Sequence, residues 1–123
     1  MKIFKTKWFT KWAIKEGLTN KVLLAAITEM EKGLIDADLG GNIYKKRVAK
    51  PGQCKSGSTR TIVAFKIGEK AFFMYGFTKN KKDNINDKEL EVFKLVGGDL
   101  LSYNDEQLEE ALKKGELLEV IDE

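Results

Sequence analysis

The run RTIVAFKIGEKAFFMYGFT, residues 60 to 78, limits the possible folds more than any other part of the chain. Two β-branched and aromatic stretches, 60 to 67 and 71 to 78, flank Gly68-Glu69-Lys70, the pattern of an antiparallel hairpin with a glycine in its turn. Alternation places Thr61, Val63, Phe65 and Ile67 on one face and Arg60, Ile62, Ala64 and Lys66 on the other. Residues 42 to 49 read as another strand, with Ile43, Lys45 and Arg47 on one face and Tyr44, Lys46 and Val48 on the other. Between the two lies KPGQCKSGS, whose proline and two glycines mark a loop.

The flanks follow a different period. After a short strand at residues 2 to 4, residues 6 to 16 set Trp8, Phe9, Trp12 and Ala13 on one side of a helix and Lys7, Lys11 and Lys15 on the other, so the tryptophans are expected in the core. Gly17 suits the left-handed end of that helix. Thr19 caps a second helix reaching Met30, with Val22, Leu23, Ala26, Ile27 and Met30 inward and Gly33 as its stop. Beyond the polar KNKKDN, Asn86 with Glu89 forms a capping box, and Ile85 with Leu90 a hydrophobic staple. Leu90, Phe93, Val96 and Leu100 give this third helix its inward face. Asn104 with Gln107, and Tyr103 with Leu108, repeat both devices for a last helix ending at Gly115. The expected fold is α+β: two N-terminal helices packed on a twisted antiparallel sheet, followed by C-terminal helices.

At 123 residues and 42% hydrophobic, the chain suits one domain, residues 1–123, with residues 99–123 as an acidic helical extension. No apolar run approaches the roughly 20 residues of a membrane span, and lysines break up the N-terminus, so a cytoplasmic protein is expected. Cys54 is the only cysteine, which rules out an internal disulfide. There is no histidine. Catalysis by imidazole, Ser-His-Asp triads and Cys/His zinc sites are therefore excluded.

Charge is segregated along the sequence. Residues 1 to 98 carry 20 basic and 10 acidic side chains, residues 99 to 123 carry 2 and 9, and the window from 40 to 82 holds eleven Lys or Arg against Glu69 alone. Six of these cations fall within KKRVAKPGQCKSGSTR, residues 45 to 60. Such clustering is the footprint of a polyanion-binding surface, with nucleic acid the first candidate.

Four blocks taken together, DLGG, KKRVA, GQCKSG followed by TRT, and YGFTKN before NI, closely resemble RelE-type toxins of bacterial toxin–antitoxin pairs, in the branch related to HigB. The resemblance extends over most of the chain. It implies a RelE-like fold and a small endoribonuclease that cleaves messenger RNA in the ribosomal A site without a cofactor or metal. Its partners would be mRNA, ribosomal RNA and a cognate antitoxin of helix-turn-helix type, with operator DNA reached only through the antitoxin and no membrane involved.

The composition suits this chemistry, because RNA carries its own nucleophile in the 2′-OH. The protein has to remove a proton, offset charge on the phosphorane and align the reacting atoms, tasks within reach of lysine and arginine. By the resemblance, Arg60 is the phosphate-contacting arginine, and Lys45 and Arg47 fill base and charge-stabilising roles. Lys79 and Lys82 lie near the leaving oxygen. Asn80 stands where some relatives place an arginine, which leaves the general acid unassigned. Lys46, Lys50, Lys55, Ser56 and Asn80 are candidate RNA contacts, Lys46 and Lys50 being equally readable as solvated surface. Two other classes compete: a ParE-like topoisomerase poison and a basic RNA-binding module without catalysis. A metal-dependent nuclease is weaker, since Asp36 and Asp38 lack a third ligand.

Overall fold

The computed structural model describes residues 1–51 and 59–122. Residues 2–6 form β1, 7–16 α1, 20–31 α2, 37–40 β2, 43–47 β3, 59–66 β4, 70–78 β5, 87–102 α3, 105–113 α4 and 117–119 β6. All six strands join one sheet in the order β2-β3-β4-β5-β1-β6. The class is α+β, as expected, but the sheet is mixed. β1 runs parallel to β5, from Lys2 opposite Lys70 to Lys5 opposite Phe73, while every other pairing is antiparallel.

Local signals account for most boundaries. The Thr6 hydroxyl accepts the Phe9 N–H and Thr19 that of Val22, so each opens a helix. Gly17 (φ 74°) closes α1 in the left-handed region. Both capping boxes, Asn86 with Glu89 and Asn104 with Gln107, are formed. The β4–β5 hairpin turns through residues 67–69, with Gly68 at φ 77°. Ile67 sits in that turn at 65% exposure rather than on the face of Thr61, Val63 and Phe65. A strand end has no partner surface, and alternation cannot mark where pairing stops.

Two edge strands escaped the sequence reading. β2 is four residues long and turns into β3 through Gly40, Gly41 and Asn42, all at positive φ, which explains the DLGG block followed by asparagine. β6 is three residues long, and the acidic C-terminal segment thus ends in a strand beside β1. Leu108, Ala111, Leu117 and Val120 of that segment are buried. Strands this short carry too few residues for a period of two to register.

Both faces of the sheet are covered. Ile3, Val63, Phe65, Ala71 and Phe73 pack on the α1–α2 side with Phe9, Ala13, Leu23 and Ile27. Phe4, Ile43, Ile62, Ala64, Phe72 and Phe77 pack on the α3–α4 side with Leu100, Leu108 and Ala111. Gly97 lets α3 approach the sheet, since a Cβ there would come within 2.4 Å of Ile43 Cδ1 and 3.2 Å of Ala64 Cβ. Val96, expected inward, is 40% exposed because the buried stripe runs through Gly97 and Leu100. A β-bulge at Met74 keeps Tyr75 on the α3 side, opposite Ile62, and leaves Gly76 beneath Trp12.

Candidate functional site

The cationic residues gather where β3 and β4 run out beyond the apolar packing. Register sets Arg47 directly opposite Arg60, and Lys45 opposite Ile62. Facing residues of an antiparallel pair share a side, and like charges in that position repel. An acid resolves the conflict. Asp36 is fixed ahead of β2 by its backbone N–H, which donates to the Lys45 carbonyl at 3.0 Å. Its Oδ2 lies 3.0 Å from Arg47 Nε and 4.0 Å from Arg60 Nε. The Arg60 guanidinium also donates to the Thr59 carbonyl at 3.4 Å. Arg60 is mostly covered, its side chain 14% exposed against 46% for Arg47. One arginine is thus held rigidly while its neighbour reaches solvent.

These residues line a single cleft of about 350 Å³, formed by Ile35, Asp36, Lys45, Arg47, Arg60, Lys79 and Asp83. Four cations surround two carboxylates, and the mouth is positive. The Lys45 ammonium lies 3.5 Å from Asn84 Oδ1, which ties the β3 side of the cleft to the segment after β5. Lys79, just past the end of β5, is exposed and also lines the cleft. Of the five residues assigned to chemistry from the sequence, Lys45, Arg47, Arg60 and Lys79 meet here.

Lys82 does not join them. Its ammonium lies 2.9 Å from both Glu89 carboxylate oxygens, at the capping box of α3. The hydrogen bond to Glu89, helped by the charges of Tyr75 and Glu89 and opposed by partial burial, raises its pKa above the ordinary value of 10.5. Its ammonium is committed to Glu89, and Lys82 is not among the residues that line the cleft. Glu89 is shifted down, first by the Lys82 hydrogen bond and then by the Asn86 backbone N–H.

The residues considered for RNA contact divide differently. Lys46 is buried, 4% exposed, with its ammonium 2.8 Å from Glu29 Oε1 and donating to the Leu34 carbonyl at 2.8 Å. It ties β3 to the end of α2 and is neither a surface lysine nor a nucleic-acid contact. Strand alternation placed it on the α2 side, but only the helix supplies the acid that makes burial tolerable. Lys50 lies 3.1 Å from Glu16 and is likewise engaged within the fold. Asn80 is exposed beside Lys79. Lys55, Ser56 and Cys54 lie outside the described residues.

The sequence reading overlooked Asp36 in its positioning role and treated it, with Asp38, as a weak metal ligand. The structure places the Asp36 carboxylate on the arginines, while Asp38 Oδ1 accepts the Gly40 N–H at 2.9 Å. The signal available was an acid just upstream of a strand with two cations on one face. Among the described residues no group of three His, Cys, Asp or Glu is arranged to hold a metal ion. No helix among them is long and apolar enough to cross a membrane.

The family model described as RelE toxin of the RelE/RelB toxin–antitoxin system matches residues 1–120, nearly the whole chain. No curated protein matches the sequence. The chain belongs to the RelE toxin family; it is a toxin of a toxin–antitoxin pair, and a cognate antitoxin is its partner.

Proposed function

We propose that this RelE-family toxin is a metal-independent endoribonuclease that cuts messenger RNA on the ribosome, with the Asp36–Arg47–Arg60 cleft as its active site. The observation that carries the proposal is the placement of two arginines face to face on adjacent strands with one carboxylate between them. Opposed like charges cost stability, and here they suit an anion: the phosphodiester carries one negative charge and gains a second in the phosphorane. In this reading Arg60, pre-oriented and largely covered, donates to the non-bridging oxygens of the scissile phosphate. Arg47 adds charge from the solvent side. Lys45 and Lys79 both line the cleft and are the groups proposed to handle the protons of the attacking 2′-OH and of the leaving 5′-oxygen. Binding of the two flanking nucleotides supplies the in-line geometry.

The wider assignment follows the same line: one domain over residues 1–123, acting in the cytoplasm, in the HigB-related branch, with a helix-turn-helix antitoxin that carries the pair to operator DNA. The decisive experiment compares Arg60→Ala with the unaltered toxin in ribosome-programmed cleavage of a defined transcript, and reads the chemistry of the new RNA ends. Loss of one preorganised donor to developing charge costs about 10²- to 10³-fold in rate. Cleavage lost in the variant with ribosome association retained, and a 2′,3′-cyclic phosphate end left by the unaltered toxin as 2′-OH attack requires, support the reading. Undiminished cleavage by Arg60→Ala overturns it.

A further inference from the structure

A second surface adjoins the cleft on the other side of the segment that follows β5. β1 pairs with β5 only as far as Lys5 opposite Phe73, so from Tyr75 to Thr78 the β5 edge has β4 on one side and no strand on the other among the described residues. The side chains of α1 border that edge. Trp8 stacks on Tyr75 with ring centroids 4.6 Å apart and planes 25° apart, and Tyr75 in turn lies 5.1 Å from Phe93. Trp12 lies over Gly76, where any Cβ would fall 2.1 Å from its ring. The groove so formed holds about 230 Å³, with Lys15 and Lys81 at its rim.

Aromatic residues at i and i+4 on an amphipathic helix ordinarily belong to the core, and both tryptophans were expected there. Trp8 is instead 49% exposed. Its indole covers the phenol ring of Tyr75 and leaves a planar apolar surface open beside two lysines that form no ion pair among the described residues. Lys79 faces the cleft and Lys81 the groove, so a chain lying in one passes directly to the other.

We propose that this groove binds an unpaired base of single-stranded RNA, stacked on Trp8, with Lys15 and Lys81 gripping its phosphates. The occupant is fixed by chemistry: a flat π-surface, two exposed lysines beside it, and an open strand edge offering backbone donors and acceptors together suit a nucleotide. The inference rests on the toxin acting on RNA and adds a nucleotide subsite beyond the cut.

The chain's two tryptophans both line this groove, so fluorescence excited selectively at tryptophan reports on it. The probe is a short 2′-O-methylated RNA oligomer, which cannot be cleaved by 2′-OH attack. Saturable quenching is expected with the unaltered toxin and with Arg60→Ala, but not with an abasic oligomer of equal charge. Trp8→Leu should weaken binding about tenfold, Trp12 remaining as reporter. Lys15→Glu combined with Lys81→Glu, a pair of exposed changes that spare the packing, should lower the salt slope of binding by about 1.4. Quenching that survives while transcript cleavage is absent in the unaltered toxin sinks the nuclease reading and leaves the groove standing. Normal cleavage without quenching, or unchanged affinity in Trp8→Leu, sinks the groove alone. Unchanged RNA affinity together with a weakened toxin–antitoxin complex in Trp8→Leu overturns the proposal in favour of a protein-docking surface.

Discussion

The carboxylate oxygen Oδ2 of Asp36 lies 3.0 Å from Arg47 Nε and 4.0 Å from Arg60 Nε, so one acid stands between two arginines that β3 and β4 bring face to face. Asp36 touches no substrate in the proposed mechanism. Its task is to hold the forks at the distance and angle a phosphate requires.

Asp36→Asn therefore tests positioning. The amide keeps the shape and loses the charge that draws Arg47 towards Arg60. A misplacement of about 1 Å costs on the order of 10²-fold in rate, and we expect a fall of about 10- to 100-fold in kcat with a smaller change in KM. A thermal midpoint close to that of the unaltered toxin, together with partial recovery in Asp36→Glu, separates this effect from a fold defect.

Lys46 gives the opposite signature. Replacing it by Met removes the partner that Glu29 meets across α2 and β3, and the loss of a largely covered ion pair costs about 2 kcal/mol. Urea denaturation should show a lower midpoint, while cleavage per folded molecule is unchanged. Adding Glu29→Leu should return much of the lost stability, because two apolar side chains then replace two charges. A cleavage defect in stable Lys46→Met would return this residue to the RNA surface.

Adjacent glycines in α3 should respond with opposite signs. At Gly97 an added Cβ meets Ile43 and Ala64, and overpacking costs about 1–3 kcal/mol. At Gly98 the space is open, and Ala stabilises a helix interior by roughly 0.5–1 kcal/mol. Thermal melts of Gly97→Ala and Gly98→Ala should bracket the parent.

The Lys82–Glu89 pair sets a pH window. Glu89 has a depressed pKa in the fold, so its contribution is complete above the ordinary value of 4.5 and is lost as pH falls through the folded value. Lys82 is raised, so its contribution is complete below 10.5 and disappears as pH climbs through the higher folded value. The difference in urea midpoint between the parent and Glu89→Gln should be flat between these limits and shrink outside them. Both groups are solvent-accessible, so added salt should narrow the difference.

Much of the frame is local physics and was readable from the residues. Thr6, Thr19, Asn86 and Asn104 cap helices because their side chains satisfy N–H groups a few residues away. Alternation in RTIVAFKI and in IYKKR assigns faces because a strand's period is two, which also put Lys45 and Arg47 together and Lys46 opposite. Segregated charge and the absence of histidine narrowed the chemistry to a cationic, imidazole-free site before any coordinates. The remaining decisions depended on neighbours distant in sequence. Whether β1 lies parallel to β5 is a matter of which edge of the sheet is open when the hairpin has formed, and no residue in KIFKT encodes that. Lys46 and Lys45 are adjacent and identical in type, yet one is buried against Glu29 and the other lines a cleft, because only one faces a helix that presents an acid. Trp8 looked like core by periodicity and became half-exposed because β1 stops short of Tyr75, leaving, among the described residues, no further strand beside that edge to cover it. Lys82 was taken from the proposed chemistry by a carboxylate that the helix cap had already fixed in place. Sequence settled which groups were available and which way each strand turned them; tertiary structure settled which charges found partners, because burial and pairing depend on what the rest of the chain brings alongside.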